Sequence, residues 1–278
     1  MKIYTEIDKI IKSYDARIGF SSLRFEDNLH HSFNGNENFP MQSVYKFHLA
    51  LTVLRDIDMG RLSLDQEILI QEEDLIPHIW SPIRDKFPQA NVKFKLKDLL
   101  YFMISESDNI ACDILFRLVG GANTVNKFIS DIGIESVSIV NTEEEIQANW
   151  DFQFQNYTTP KSAVELLKLF FEKKILSPKS SDFLLKLMLE TKTGLKRIRG
   201  LLPEHTIVAH KTGYSGKNEL GIIAACNDIG IVTLSNQINF GIAVFVSNST
   251  HDLEQNELII AQITKIIWDH YLLFDVDL

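Results

Sequence analysis

Residues 41–54 read MQSVYKFHLALTVL, and the hydropathy pattern of the chain changes here. Before this stretch the apolar residues fall mostly into strand-like runs. After it they recur every three or four positions, the period of an amphipathic helix. Ser43 is a reasonable N-cap for a helix starting near Val44. Lys46 follows at i+3, on the same helix face, at the mouth of an apolar run where a lysine is costly to bury. A serine hydroxyl is a poor nucleophile until a neighbouring base takes its proton, and a lysine with a depressed pKa can be that base. Two readings stand at this point: a helix cap beside a flanking lysine, or a nucleophile beside its base.

Working outward, Ile3, Ile7, Ile10 and Ile11 predict a helix over residues 3–14. ARIGFSSLRF and LHHSFNG are strand-like and are joined by Glu26-Asp27-Asn28, a hairpin signal. From Ser43 to about Glu190 the pattern is mainly helical, as in LKDLLYFMI, IACDILFRLV, ANTVNKFISDI, SAVELLKLFF and SDFLLKLMLE. Gly120-Gly121 and Ser177-Pro178 are turn signals between these runs. Strands return after residue 205 with TIVAHKTGY, LGIIAAC, IGIVTLS and FGIAVFVSN, with turns expected at Asn227-Asp228 and Asn236-Gln237. NELIIAQITKIIWDHYLL predicts a closing amphipathic helix. The simplest architecture is α+β: an antiparallel sheet built from both chain ends and flanked by the terminal helices, with an all-helical domain inserted. The boundaries expected are 1–42 and 191–278 for the α/β lobe and 43–190 for the helical lobe, with the site in the crevice between them.

The 278 residues are 45% hydrophobic and 23% charged, ordinary globular composition. A net charge of −9 argues against a nucleic-acid partner, because phosphate binding needs clustered Lys and Arg. No run approaches the roughly 18 apolar residues of a membrane span, and MKIYTEIDKIIKSYDARIGF has no continuous apolar core of a signal peptide. The chain therefore reads as cytosolic or as a mature form. Cys112 and Cys226 sit in apolar runs without CxxC spacing and read as buried, inert thiols. The eight histidines show no HxH or HExxH pattern, so neither a metal nor a cofactor is expected.

Two further polar patterns interrupt the apolar runs. Ser107-Asp108-Asn109 separates two helical patterns, where Ser107 or Asp108 could simply cap a helix. Lys211-Thr212-Gly213 closes a strand and can offer a ligand a cation, a hydroxyl and a close-approaching backbone. From Ser43 to Ser107 is 64 residues, and from Ser107 to Lys211 is 104. These patterns in this order, S-x-x-K, S-D-N and K-T-G, resemble the penicillin-recognising serine enzymes and, within them, the class A β-lactamases. The resemblance covers essentially the whole chain, including the strand, helical insert and strand layout.

The resemblance implies hydrolysis of a small-molecule β-lactam, with cephalosporins among the substrates, through an acyl-enzyme on Ser43. D-alanyl-D-alanine peptidases and slowly deacylating penicillin-binding sensors share the same groups and are the alternatives. Lys46, Glu143 through a water, or both would take the serine proton, and Ser107 would relay one to the departing lactam nitrogen. Glu143 fits the family's E-x-x-x-N loop pattern in NTEEEIQANW, with Gln147 in the water-orienting place and Glu144 and Glu145 as competitors. The oxyanion hole would be the backbone N–H groups of Ser43 and Tyr214. Asn109 would meet the substrate's side-chain amide and help hold Lys46. Lys211, Thr212, Gly213 and Ser215 would face the substrate carboxylate. Arg197 matches one placement of the family's auxiliary arginine, or is a surface arginine. Trp80 matches an aromatic gatepost, or is a core tryptophan.

Two departures stand out. Asn141 and Asn156 occupy positions where many class A enzymes carry an arginine and an aspartate, so an ionic clasp of the loop is absent, as in extended-spectrum and cephalosporin-hydrolysing branches. Tyr214 replaces a residue that is mostly small or hydroxylic. A widened loop admitting bulky oxyimino-cephalosporins is the expectation. The family also implies a periplasmic location for the mature chain, which is expected to act as a monomer.

Overall fold

The computed structural model describes residues 2–273. In chain order it runs α1 (Lys2–Lys12), β1 (Arg17–Arg24), β2 (His30–Phe33), β3 (Phe39–Pro40), a 3-10 turn at Gln42–Val44 and α2 (Tyr45–Asp58). Next come β4 (Glu67–Ile70), α3 (Pro82–Lys86), β5 (Val92–Lys95), α4 (Leu96–Ser105), α5 (Asn109–Val119) and α6 (Ala122–Asp131). These are followed by α7 (Glu143–Ala148), a 3-10 turn at Trp150–Phe154, β6 (Tyr157–Thr158), α8 (Pro160–Phe171) and α9 (Pro178–Leu189). The last elements are β7 (Ile207–Tyr214), β8 (Ile223–Thr233), β9 (Asn239–Ser249) and α10 (Leu253–Leu273).

The chain divides into two compact units. One comprises the chain up to Val44, Thr158–Lys168 and the chain from Gly194 onward. Its centre is an antiparallel sheet in the order β2-β1-β9-β8-β7. Apolar residues of α1 and α10, among them Ile3, Ile7, Ile260, Ile267 and Tyr271, share a core with Phe20, Phe240 and Val244 of the sheet. Burial of such side chains contributes about 1.5–3 kcal/mol each. The unit includes a segment that the sequence pattern assigns to the helical insert. Pro160 packs against Gly19, the Lys161 N–H donates to Gly35 O at 3.0 Å, and Leu167 lies against Gly241.

The turn expected at Asn227-Asp228 does not form. β8 runs through both residues as one strand of 11, paired with Gly213 and Thr212 of β7. Asn and Asp normally favour turns, but here both side chains have tertiary partners. Asn227 Nδ2 donates to Pro40 O at 2.7 Å and Met41 O at 3.2 Å, while the Asp228 carboxylate faces His210 Nδ1 at 2.9 Å and accepts from Ile198 N–H at 3.2 Å. Those bonds engage both side chains inside the sheet, so the strand continues.

The second unit, Tyr45–Tyr157 with Leu169–Thr193, is built around α2. Every residue of α2 from Tyr45 to Leu54 is buried, so this helix is apolar on nearly all faces and packs against α4, α5, α6 and α9. The unit also carries an antiparallel ribbon, β4 with β5, pairing Ile68 with Phe94. Its alternation is too short to stand out among the helical periods around it. Among the described residues no helix is long and apolar enough to cross a membrane, and no group of three or more His, Cys, Asp or Glu could hold a metal ion.

Candidate active site

In the sheet unit, Ser43 does not cap α2. It lies within the 3-10 turn, after Gln42 at φ +48°. Two features hold that turn. Asn227 ties down the carbonyls of Pro40 and Met41, as described above. Gly213 supplies the other: a Cβ at this position would lie 2.5 Å from Met41 O and 3.3 Å from Ser43 N. Only glycine lets the end of β7 approach the serine backbone this closely. The adjoining β7 residues are Lys211, fully buried with Nζ donating to Thr212 O at 3.0 Å, and Tyr214, exposed at the strand end. Ser215 follows, its hydroxyl donating to Gly216 O at 2.8 Å and accepting from Ala225 N–H at 3.1 Å.

Arg197 is not the surface arginine that one reading allowed. It is only 4% exposed and lies beneath the end of β7. Its Nη1 donates to Gly213 O and Asn227 O, each at 2.9 Å, and its Nε to Glu257 Oε1 at 3.2 Å. Burial opposes its charge, but the neighbouring Cys226, Asp228 and Glu257 outweigh that and hold its pKa above the ordinary value. The guanidinium therefore fixes the carbonyl between Gly213 and Tyr214, which orients the peptide whose N–H belongs to Tyr214. The Tyr214 ring centroid lies 6.0 Å from Arg197 Cζ.

In the helical unit, Lys46 is the organising charge. It is fully buried in the first turn of α2. Its Nζ donates to Ser107 O at 2.9 Å and Asn109 Oδ1 at 2.5 Å, and lies 3.1 Å from Glu143 Oε1. A buried ammonium without partners costs several kcal/mol, so these two acceptors and the neighbouring carboxylate explain how a lysine occupies that position. Ser107 has φ +58°, a left-handed conformation costing about 1–2 kcal/mol for a residue with a Cβ. Asp108 caps α5, accepting from Ala111 N–H at 2.9 Å, and also takes bonds from Ser81 Oγ and Ile83 N–H. Burial raises its pKa.

Glu143 opens α7 and is buried; Glu144 is exposed. Glu145 closes a capping box, accepting from Thr142 N–H at 2.8 Å while Thr142 Oγ1 accepts from Glu145 N–H at 3.3 Å. The neck of this loop is held by amides in place of ions. Asn156 Oδ1 accepts from Val140 and Asn141 N–H at 2.7 and 3.0 Å, and its Nδ2 donates to Asn141 O at 2.8 Å. Asn141 Nδ2 in turn donates to Phe152 O and Gln155 Oε1.

The serine turn belongs to one unit and the Lys46 cluster to the other. The family model described as "Beta-lactamase enzyme family" matches residues 2–271. The chain belongs to this β-lactamase family. It is 44% identical over 269 residues to β-lactamase VEB-1 of Pseudomonas aeruginosa, covering 96% of this chain and 89% of that protein. It is 39% identical to the extended-spectrum β-lactamase PER-1 of Pseudomonas aeruginosa, covering 96% and 86%. The crystal structure of TLA-1 extended-spectrum β-lactamase aligns with TM-score 0.95 at 48% identity, covering 98% of each chain. This protein is a class A serine β-lactamase.

In this β-lactamase, Trp80 is not a core residue: it is 59% exposed, with Nε1 donating to Glu106 O at 3.0 Å. Gln147 lies one turn beyond Glu143 on α7 and is exposed. Three supporting residues escaped sequence reasoning. Asp113, one turn after Asn109 on α5, accepts from Glu143 N–H at 2.9 Å and Glu144 N–H at 3.0 Å. Burial, with the Glu143 carboxylate nearby, pushes its pKa up to about 7. Its signal was a charge on the apolar stripe of NIACDILFRLV. Asn227 carries only a local turn signal in the sequence, and Glu106 beside the S-D-N motif carries none.

Proposed function

We propose that this β-lactamase hydrolyses cephalosporins, including bulky oxyimino-cephalosporins, with Ser43 as nucleophile and Glu143 as the base that activates the deacylating water. The observation carrying this reading is the contact between Lys46 and Glu143, which sets a carboxylate beside the lysine three residues after the serine. The Ser43 oxygen attacks the lactam carbonyl carbon as the Lys46–Glu143 pair takes its proton. The ring C–N bond breaks, and Ser107 passes its proton to the departing nitrogen while taking up the proton held by the pair, with Lys211 nearby, which frees Glu143 as a base. Water, deprotonated by Glu143, then attacks the ester and restores Ser43. Positioned proton transfer contributes about 10²–10⁴-fold. The N–H groups of Ser43 and Tyr214 form the oxyanion hole, where one donor is worth about 10²–10³-fold.

Asn109 binds the substrate's side-chain amide while keeping Lys46 in place. Lys211, Thr212 and Ser215 receive the carboxylate, Gln147 orients the water, and Trp80 borders the entrance. The breadth of the substrate range is supported by the amide clasp of Asn141 and Asn156 and by relatives whose names call them extended-spectrum. All these groups come from one chain, which supports action as a monomer. A β-lactamase protects a cell where the drug meets its targets, so we place the mature chain in the periplasm.

Mixing catalytic amounts of protein with a chromogenic cephalosporin, a penicillin and an oxyimino-cephalosporin tests this. Repeated turnover of all three is expected. A single stoichiometric burst is the outcome for a peptidase or sensor, and fast penicillin turnover with negligible oxyimino-cephalosporin turnover removes the proposed breadth.

A further inference from the structure

Glu106 lies immediately before Ser107, and three donors from separate parts of the helical unit hold its buried carboxylate. Lys192 Nζ reaches Oε1 at 2.8 Å, Lys86 Nζ reaches Oε2 at 3.0 Å, and the Tyr101 hydroxyl reaches Oε1 at 3.3 Å. Aromatic rings steady both lysines, with Lys86 Nζ 5.2 Å from the Phe102 centroid and Lys192 Nζ 5.2 Å from that of Tyr101. The main chain is fixed as well: Glu106 O accepts from Trp80 Nε1, and Ser105 O accepts from Lys192 N–H at 2.8 Å.

A serine held at φ +58° keeps that conformation only where the surrounding structure imposes it. On the far side of Ser107, Asp108 is fixed by its N–H to Phe102 O at 2.9 Å and by the bonds to its carboxylate. On the near side the anchor is Glu106. Between the two anchors, Ser107 O accepts from Lys46.

We propose that Glu106, clamped by Lys86 and Lys192, is a positioning residue for acylation: it holds the Ser107 peptide so that its carbonyl grips Lys46 and its hydroxyl meets the departing lactam nitrogen. This rests on the reading of Ser107 as the proton relay. Glu106 touches no substrate atom and acts through Ser107. Its loss therefore slows acylation, in which the nitrogen is protonated, and spares deacylation, which depends on the Glu143 water.

Single-turnover acylation by a chromogenic cephalosporin, with deacylation and thermal midpoints recorded in parallel, tests the clamp. The variants are Glu106→Gln, the paired Lys86→Met/Lys192→Met, Lys192→Arg and Ser107→Ala. Both clamp-breaking variants should acylate about tenfold more slowly, with half-saturation and deacylation within about twofold of wild type. Lys192→Arg, which keeps the charge, should retain most of the wild-type rate. Raising NaCl to about 1 M should slow the wild type but not Glu106→Gln, because salt screens the half-exposed lysines. If Glu106→Gln acylates at the wild-type rate while Ser107→Ala is slow, the clamp is overturned, whatever its thermal midpoint. If Ser107→Ala itself acylates normally, the relay reading falls instead.

Discussion

Lys46 is a fully buried ammonium with hydrogen-bond acceptors at 2.9 and 2.5 Å and the Glu143 carboxylate paired at 3.1 Å, and removing it strands that carboxylate beside Asp113. Breaking one side of a buried pair typically costs about 3–5 kcal/mol, whereas replacing both partners with neutral groups costs less. Lys46→Ala should therefore unfold at lower denaturant than Lys46→Met/Glu143→Gln, and equilibrium denaturation reads the difference. Asp113 adds a pH dependence. Its pKa is raised to about 7, so between about pH 4 and 7 the native state holds a proton that the unfolded chain releases. The linked stability is fully present below the unfolded value and is lost as pH rises through 7, by up to about 1.4 kcal/mol per unit. Asp113→Asn removes that loss, so relative to wild type it should gain more stability at pH 8 than at pH 5 in paired denaturation curves. Ser43, Lys46 and Ser107 stand out as candidates in the sequence because short motifs in fixed order carry information that single residues lack. Asp113 does not, since an acid on a helix resembles a solvated one until its partners are seen.

Among the elements, the approach of β7 to the serine turn fixes the backbone around Ser43, the proposed nucleophile. Gly213→Ala puts a methyl 2.5 Å from Met41 O, and backbone on that side has little freedom to yield. Overpacking of this kind costs about 1–3 kcal/mol. The thermal midpoint should fall, and acylation should fall by about 10² because the proposed oxyanion donors, the N–H groups of Ser43 and Tyr214, shift; near-normal acylation would detach Gly213 from that role. β8 shows why strands are harder to read than helices. IIAACNDIGIVT contains a polar pair that looks like a turn, yet Asn227 and Asp228 are buried against Pro40, Met41, His210 and Ile198. Nothing local in the sequence distinguishes a polar pair facing water from one with tertiary partners. The long α2 and α10 were legible because their apolar repeats extend over several turns.

For the whole molecule, the alternation of strand-rich ends and helical middle was enough to read the α+β architecture. The placement of Thr158–Lys168 with the sheet was not, because an amphipathic helix fits either kind of core equally well. The proposed breadth of substrate belongs to the whole molecule and draws on the Asn141–Asn156 clasp. Asn156→Ala leaves the N–H groups of Val140 and Asn141 without their acceptor. It should cost about 1–3 kcal/mol and increase proteolytic nicking between residues 141 and 156. The central claim, a serine acyl-enzyme on Ser43 released by Glu143, is tested most directly by intact-mass and peptide mass spectrometry of Glu143→Gln mixed with a cephalosporin. A long-lived adduct on the peptide containing Ser43 is expected. No adduct, an adduct elsewhere, or release as fast as in the wild type would contradict it.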